Sequence, residues 1–241
     1  MLKVNIDGRE VEVEKGSTIL KAAEEIGITI PTLCHLETIE PYGACRLCIV
    51  EVSAGNRPKI VTSCNYPIQE DGLTVKTDSE KIIKYRKLLV ELLLSRCPES
   101  AKIQDLAHEM GVEKPRFKLE DEKCILCGLC VRACHEIVGT NSIGFANRGA
   151  NRKVTTPFND SSSTCIGCGA CAYVCPTGAI KIEDTEETRT MINWKTVRKL
   201  KKCKLCGKYF APEFQLEYMK RTADLPNDYF EKCIECRTLR K

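Results

Sequence analysis

Sixteen of the 17 cysteines in this 241-residue chain fall into four sets of four: Cys34, Cys45, Cys48 and Cys64; Cys124, Cys127, Cys130 and Cys134; Cys165, Cys168, Cys171 and Cys175; and Cys203, Cys206, Cys233 and Cys236. Four thiolates are what an iron–sulfur cluster or a structural zinc ion requires. Disulfides would need an oxidising compartment. The N-terminal MLKVNIDGRE shows neither a charged-then-apolar signal pattern nor a small-residue cleavage site, so the expected setting is cytoplasmic. The formal charge of +4 reverses once metal is counted, because each filled four-thiolate site carries about −2 and four of them leave about −4. With that sign, nucleic-acid binding through the basic residues is disfavoured.

In the first set, Cys34-x10-Cys45-x2-Cys48-x15-Cys64, the middle ligands lie on the loop PYGACRLC. Gly43 and Ala44 leave room there for backbone N–H groups to reach bridging sulfides, which favours a [2Fe–2S] cluster over a zinc ion or four inert thiols. The segments IPTLCHLE, GACRLCIVEV and TSCNYP resemble the N-terminal [2Fe–2S] domain of the large iron–sulfur subunit of respiratory NADH dehydrogenase and of iron-only hydrogenases. That resemblance implies a β-grasp fold for about residues 1–78.

The second and third sets are both C-x2-C-x2-C-x3-C, the bacterial run for [4Fe–4S] clusters, recurring 41 residues apart. Three cysteines of each run hold one cube and the fourth reaches across to the other. The expected ligands are Cys124, Cys127, Cys130 and Cys175 for the first cluster, and Cys165, Cys168, Cys171 and Cys134 for the second. His135 stands where a proline usually follows the first run. CHEIVGTNSIGFANRG, between the runs, extends the resemblance to about residue 180. The families resembled usually carry a His-x3-Cys-x2-Cys-x5-Cys site after the connecting helix. Here that place reads SRCPESAKIQDLAHEMG, so the histidine-ligated cluster is expected to be lost and Cys97 to be a buried packing residue. His35, His108 and His135 are read as packing or surface residues.

The fourth set, Cys203-x2-Cys206-Gly and Cys233-x2-Cys236 separated by 26 residues, resembles two zinc knuckles, with a fourth iron–sulfur cluster as the alternative. Phe210, Phe214 and Tyr218 are expected to cover one side of it. The run Lys195, Arg198, Lys199, Lys201, Lys202, Lys204 and Lys208 reads as a solvated face or a docking patch.

The elements that position these sets are legible in outline. Alternation at Leu2, Val4, Ile6 and Val11, Val13 around Asp7-Gly8 predicts a hairpin. Ser17 is expected to cap a helix through Ile26, ended by Gly27, with strands at 49–52, 59–62 and 73–76. Thr77 and Glu80 read as a capping box for a helix whose apolar face is Ile82, Ile83, Leu88, Leu89, Leu92 and Leu93. A further helix is expected at 212–221. The fold class is therefore α+β, in four parts: a [2Fe–2S] domain at 1–78, a helical connector at 79–119, a bacterial-type 2[4Fe–4S] ferredoxin domain at 120–184 and a small helical four-cysteine unit at 185–241.

No P-loop, HExxH or nucleophile elbow is present. Gly167-x-Gly169-x-x-Ala172 imitates a dinucleotide fingerprint, but cluster cysteines occupy two of its positions and no predicted strand precedes it. The most apolar run, Leu88 to Leu94, is seven residues long and contains Glu91, so no membrane span is expected. In the families resembled, a catalytic domain follows the second [4Fe–4S] run, whereas only 66 residues follow Cys175 here. The expected role is a non-catalytic subunit relaying single electrons, and the resemblance implies partners in flavin- and NADH-binding iron–sulfur subunits at one end and a terminal hydrogenase, formate dehydrogenase or similar module at the other. An electron-bifurcating complex of an anaerobe is its most specific form. A diffusible polyferredoxin and a metal-containing nucleic-acid-binding protein are the alternatives.

Overall fold

The computed structural model describes residues 1–55, 57–117 and 123–238. The expected start of the ferredoxin domain at 120 lies outside them. Two compact units divide the chain, Met1–Leu129 and Cys130–Lys241.

In the first unit, β1 (Leu2–Ile6) and β2 (Arg9–Val13) form the expected hairpin, with Leu2 opposite Val13 and Val4 opposite Val11. Asp7 and Gly8 both take positive φ, 49° and 84°, which is the geometry of a tight primed turn. Alternation puts Val4, Ile6, Val11 and Val13 into the core. Helix α1 (Ile19–Glu25) buries Ile19, Leu20, Ala22 and Ala23 against that sheet. Its cap is Thr18, not Ser17, and Thr18 Oγ1 accepts from the Lys21 N–H at 3.3 Å. Ser17 is taken up elsewhere, its carbonyl receiving the Ile68 N–H at 2.9 Å. At the other end Gly27 N–H reaches Glu24 O and Ile28 N–H reaches Ala23 O, closing the helix in a Schellman motif.

Strands β3 (Ile49–Ser53), β4 (Lys59–Thr62) and β5 (Leu73–Lys76) complete a five-stranded sheet of order β2-β1-β5-β3-β4. Only the β1–β5 pair is parallel; the others are antiparallel. Helix α2 (Glu80–Arg96) is capped by Ser79, whose hydroxyl accepts from the Ile82 N–H at 3.4 Å. The expected capping box does not form. Thr77 is held instead by the Asp7 carboxylate, through its N–H at 2.8 Å and its hydroxyl at 2.5 Å. The buried face of α2 also differs from the apolar pattern. It consists of Ile82, Arg86, Val90, Glu91, Leu94 and Ser95, while Ile83, Leu88 and Leu92 stay exposed. Two charged side chains can be buried because each has partners: Arg86 on backbone carbonyls, and Glu91 in a two-pronged pair with Arg116 at 2.7 Å on both oxygens. Helix α3 (Ala101–Glu109) buries Ile103, Leu106 and Ala107, with His108 exposed.

The chain enters the second unit inside α4 (Leu129–Arg132), which widens into a π-turn at Ala133–Ile137. Strands β6 (Gly144–Ala146) and β7 (Lys153–Thr155) form a hairpin, and α5 (Ala170–Tyr173) is a single turn. An antiparallel sheet follows, of order β11-β10-β9-β8, made of β8 (Ile182–Asp184), β9 (Thr188–Met191), β10 (Thr196–Lys202) and β11 (Tyr209–Pro212). The boundary expected at 184/185 falls in the turn between β8 and β9, whose strands pair. The part expected to be helical therefore contains strands as well as α6 (Glu213–Thr222) and α7 (Ile234–Thr238).

Candidate metal centres

The four cysteines of the first set all lie in the first unit and are buried, Cys34, Cys48 and Cys64 to 1% exposure and Cys45 to 8%. Cys48 directly precedes β3, and Cys64 sits in a 3-10 turn directly after β4, so the β3–β4 hairpin carries both. The Cys45 N–H donates to Cys34 Sγ at 3.4 Å. Cys48 is held down to about 6, chiefly by the hydrogen bond that the Cys64 thiol donates to it. Cys64 is pushed up by the same bond, and Cys45 by its bond to Cys34, with burial adding to both.

Two further features shape this pocket. Ser63, with no solvent exposure, has a hydroxyl without a hydrogen-bond partner of ordinary geometry among the described residues, and it bears on the Cys48 thiol, which it helps hold down. A buried hydroxyl turned toward sulfur in this way suits a ligand that accepts its proton. Gly43 takes φ +66°, a conformation that favours glycine, and a Cβ there would stand 3.0 Å from Asn65 Nδ2. Behind the loop, the buried Arg86 donates from Nε to Leu47 O at 3.0 Å and from its terminal nitrogen to Ile49 O at 2.6 Å, gripping both neighbours of Cys48.

Of the second set, Cys124 is half-buried and Cys127 buried in the first unit, where the Leu126 N–H donates to Cys124 Sγ at 3.4 Å and Arg96 Nε to Cys124 O at 2.7 Å. Cys97, 1% exposed, ends α2 as the expected buried thiol.

In the second unit, Cys134, Cys165, Cys168 and Cys171 line one small pocket, together with Thr140, Ser142, Met191 and Trp194. Four cysteines converging on one pocket are the donor set that a cubane cluster takes. Donors surround it. The Ser142 N–H reaches Cys134 Sγ at 3.3 Å, Thr140 Oγ1 lies 3.3 Å from the same sulfur, and Trp194 Nε1 donates to Cys171 Sγ at 3.4 Å. Burial pushes the Cys171 thiol up to about 11, partly countered by the indole. Cys130 is buried and Cys175 half-buried, with the Ala179 N–H donating to Cys175 Sγ at 3.3 Å.

The sheet of the second unit grips this ligand loop. Arg198 on β10 donates to Cys165 O at 2.7 Å and Ser162 O at 2.8 Å. Arg189 on β9, fixed by Asp184 at 2.7 and 2.8 Å, donates to Gly167 O at 3.3 Å. Gly167 takes φ +72°, and a Cβ there would stand 3.1 Å from Arg198 Cγ, so a side chain at this position would be strained and would crowd the clamp.

In the fourth set the sulfurs of Cys203, Cys206, Cys233 and Cys236 all lie within 4.8 Å of one another, and Cys206 and Cys233 are 3.8 Å apart. A tetrahedron with metal–sulfur bonds of about 2.3 Å has sulfur–sulfur edges of about 3.8 Å, so this set is sized for one ion. A cube binds each cysteine at a different corner iron and holds the sulfurs further apart. The Cys206 and Cys233 N–H groups hold Cys203 down to about 6, while burial pushes Cys236 up to about 12.

Phe210 packs on this site, but Phe214 and Tyr218 do not as expected. Phe214 lies under the Arg198 guanidinium at 4.9 Å, and the Tyr218 hydroxyl donates to Val138 O at 2.9 Å, because α6 turns its ring face toward the ferredoxin residues. The basic run is largely engaged within the chain. Lys201 and Lys204 pair with Glu231, Lys208 with Glu235 and Lys195 with Asn159 O, while Arg198 holds the cluster loop. His135 Nδ1 bonds Asn141 Oδ1, and His35 Nδ1 is buried without a partner among the described residues. Sequence patterning missed Arg86, Ser63, Trp194 and the Arg189–Arg198 clamp, none of which belongs to a cysteine motif.

The cysteine sets, two of them with backbone and side-chain donors aimed at sulfur, define an iron–sulfur electron-transfer protein. Residues 1–80 match the 2Fe-2S iron-sulfur cluster binding domain, residues 114–181 the ferredoxin-like domain of NADH-quinone oxidoreductase subunit 3, and residues 164–208 a 4Fe-4S dicluster domain. The chain belongs to the family of iron–sulfur subunits shared by NADH-quinone oxidoreductases and NAD(P)-linked hydrogenases. It is 37% identical over 205 residues to the NADPH-Fe(3+) oxidoreductase subunit alpha of Geobacter sulfurreducens, covering 75% of this chain and 24% of that one. It is 34% identical over 212 residues to the NADP-reducing hydrogenase subunit HndD of Solidesulfovibrio fructosivorans, covering 75% of this chain and 36% of that one. The chain thus spans a quarter to a third of the length of these relatives. A crystal structure of an NAD+-reducing [NiFe]-hydrogenase superposes with a TM-score of 0.56 at 30% identity, over 64% of this chain and 74% of that one. Among the described residues, no helix is long and apolar enough to cross a membrane.

Proposed function

We propose that the chain is a non-catalytic relay that passes single electrons through one [2Fe–2S] and two [4Fe–4S] clusters, between a flavin- and NADH-binding partner and a terminal redox enzyme such as a hydrogenase or formate dehydrogenase. The observation that carries this reading is the convergence of Cys134, Cys165, Cys168 and Cys171 on one pocket, with donors aimed at the sulfurs of Cys134 and Cys171. The clusters supply one-electron chemistry when bound. The chain's own residues hold the ligands, exclude water and place hydrogen bonds on sulfur, all of which set potential.

We assign Cys34, Cys45, Cys48 and Cys64 to the [2Fe–2S] cluster, Cys124, Cys127, Cys130 and Cys175 to the first [4Fe–4S] cluster, and Cys165, Cys168, Cys171 and Cys134 to the second. The sheet order, with a central parallel pair flanked by antiparallel strands and one helix on its face, supports a β-grasp reading of the first domain. Cys203, Cys206, Cys233 and Cys236 are read as a zinc site on the compactness of their sulfurs. Sixteen ligand thiolates favour a reducing, cytoplasmic setting. NAD(P)H-linked partners are supported by the relatives' names, each of which carries a nicotinamide cofactor or a hydrogenase.

Anaerobic affinity purification from the native cell at low salt tests the subunit role. A stable complex with flavin-containing and terminal-enzyme chains is expected. A chain that consistently purifies alone with its clusters intact contradicts that role and indicates a diffusible polyferredoxin.

A further inference from the structure

We propose that Trp194 sets the reduction potential of the second [4Fe–4S] cluster through the indole N–H that it donates to Cys171 Sγ. The inference rests on reading Cys134, Cys165, Cys168 and Cys171 as that cluster's ligands. Trp194 is 3% exposed, and its Nε1 lies 3.4 Å from the sulfur. An indole has one donor and no acceptor, and a buried donor without a partner is costly, so the sulfur and the ring satisfy each other. A phenylalanine would fill the same apolar space without pointing a proton at a ligand.

The turn that carries the ring is held from both sides. It ends the 3-10 turn Ile192–Trp194 between β9 and β10, followed by Lys195 at φ +50°. The buried Thr196 hydroxyl donates to Trp194 O at 2.9 Å. Asn193 accepts from the Lys181 N–H at 2.8 Å and donates to Ala179 O at 3.2 Å, tying the turn to the segment that follows the cysteine run. The donor is thus placed by a sheet that lies outside the cysteine run.

Reduction is [4Fe–4S]2+ plus one electron giving [4Fe–4S]+, with the added negative charge shared onto the sulfurs. A hydrogen bond donated to sulfur in a dry, low-dielectric site stabilises the reduced form more than the oxidised one. Trp194 therefore raises this cluster's potential and makes it a better electron acceptor.

Trp194 is the only tryptophan, so an auxotrophic host fed benzothienylalanine exchanges the indole N–H for sulfur at this one position and keeps the ring's shape. The iron-loaded chain is purified without oxygen, its iron and sulfide are counted, and it is titrated with dithionite under EPR. The expected result is unchanged iron and one [4Fe–4S] signal shifted to lower potential by about tenfold in its reduction constant, 59 mV for one electron, with the other signals unmoved. Full iron with all potentials unmoved overturns the proposal. Should the analogue chain fail to hold the cluster, 5-fluorotryptophan, which keeps the N–H and makes it more acidic, is expected to raise the same potential. No rise overturns the proposal. A native chain short by about four iron would instead overturn the ligand reading beneath it.

Discussion

Arg86 and Ser63 hold no metal, yet they decide what the [2Fe–2S] pocket can do. The Arg86 guanidinium is buried against Leu47 O and Ile49 O, and burial lowers its pKa while the charges of Cys48, Asp78 and Asp7 oppose that shift. Truncation to methionine keeps much of the volume but leaves two buried carbonyls without donors. Arg86→Met is expected to cost about 2–4 kcal/mol, read as a lower urea midpoint for the visible circular dichroism of the cluster. It also removes a positive charge beside Cys48, so the cluster's potential falls; an unmoved potential would show that the arginine serves packing alone. Ser63→Ala removes the buried hydroxyl beside Cys48 at almost no change in volume. It is expected to retain the cluster and lower its potential, checked by the same EPR titration. Neither residue was legible in the sequence. Arg86 interrupts an apolar helical stripe and reads as its solvent side, and Ser63 lies beside a cysteine that already explained the segment. Trp194 is hidden for a different reason: its partner Cys171 is 23 residues away, and only the fold of the sheet brings them together.

At the scale of elements, alternation and turn chemistry revealed every strand of the first sheet, because each has one buried face and Asp7-Gly8 fixes the first register. Caps were displaced by one or two residues, to Thr18 and Ser79, while the Ser17 carbonyl receives the Ile68 N–H and Thr77 is held by Asp7 in the β1–β2 turn. The strands β9 to β11 were missed because lysines dominate the outward side of β10, whose inward residues are only Thr196 and Leu200. On α2, Glu91 is held well below the usual carboxylate range by the Arg116 side chain and N–H. Its stabilising contribution is present above the ordinary carboxylate pKa and is lost as pH falls through the depressed folded value. Glu91→Gln is therefore expected to melt earlier than the native chain at neutral pH, with the difference closing below about pH 4. A constant difference across that range would contradict the ion pair. In the second unit, Cys203 follows β10 directly and the four-cysteine site ties β10 to β11 and α7. Cys206→Ser is expected to lose the bound ion and loosen β10, so that amide exchange at Leu200 and Lys201 rises; unchanged protection would separate the metal from the sheet.

For the whole molecule, the arithmetic of cysteines was the most legible feature, since ligand sets repeat at spacings that backbone geometry allows and little else explains. Partner identity is not encoded this way. The basic residues that suggested a docking face are mostly spent on Glu231, Glu235 and the cluster loop, so net charge is a poor guide to what the chain meets. What the molecule offers is a sequence of one-electron stations plus a compact C-terminal four-cysteine site with no cluster-sized separation between its sulfurs. The most direct measurement is the iron, labile sulfide and zinc content of the chain purified without oxygen. Three relay clusters and one structural ion predict about ten iron, ten sulfide and one zinc per chain. About fourteen iron with no zinc would make the C-terminal set a fourth electron station, and two iron or fewer would contradict the relay altogether.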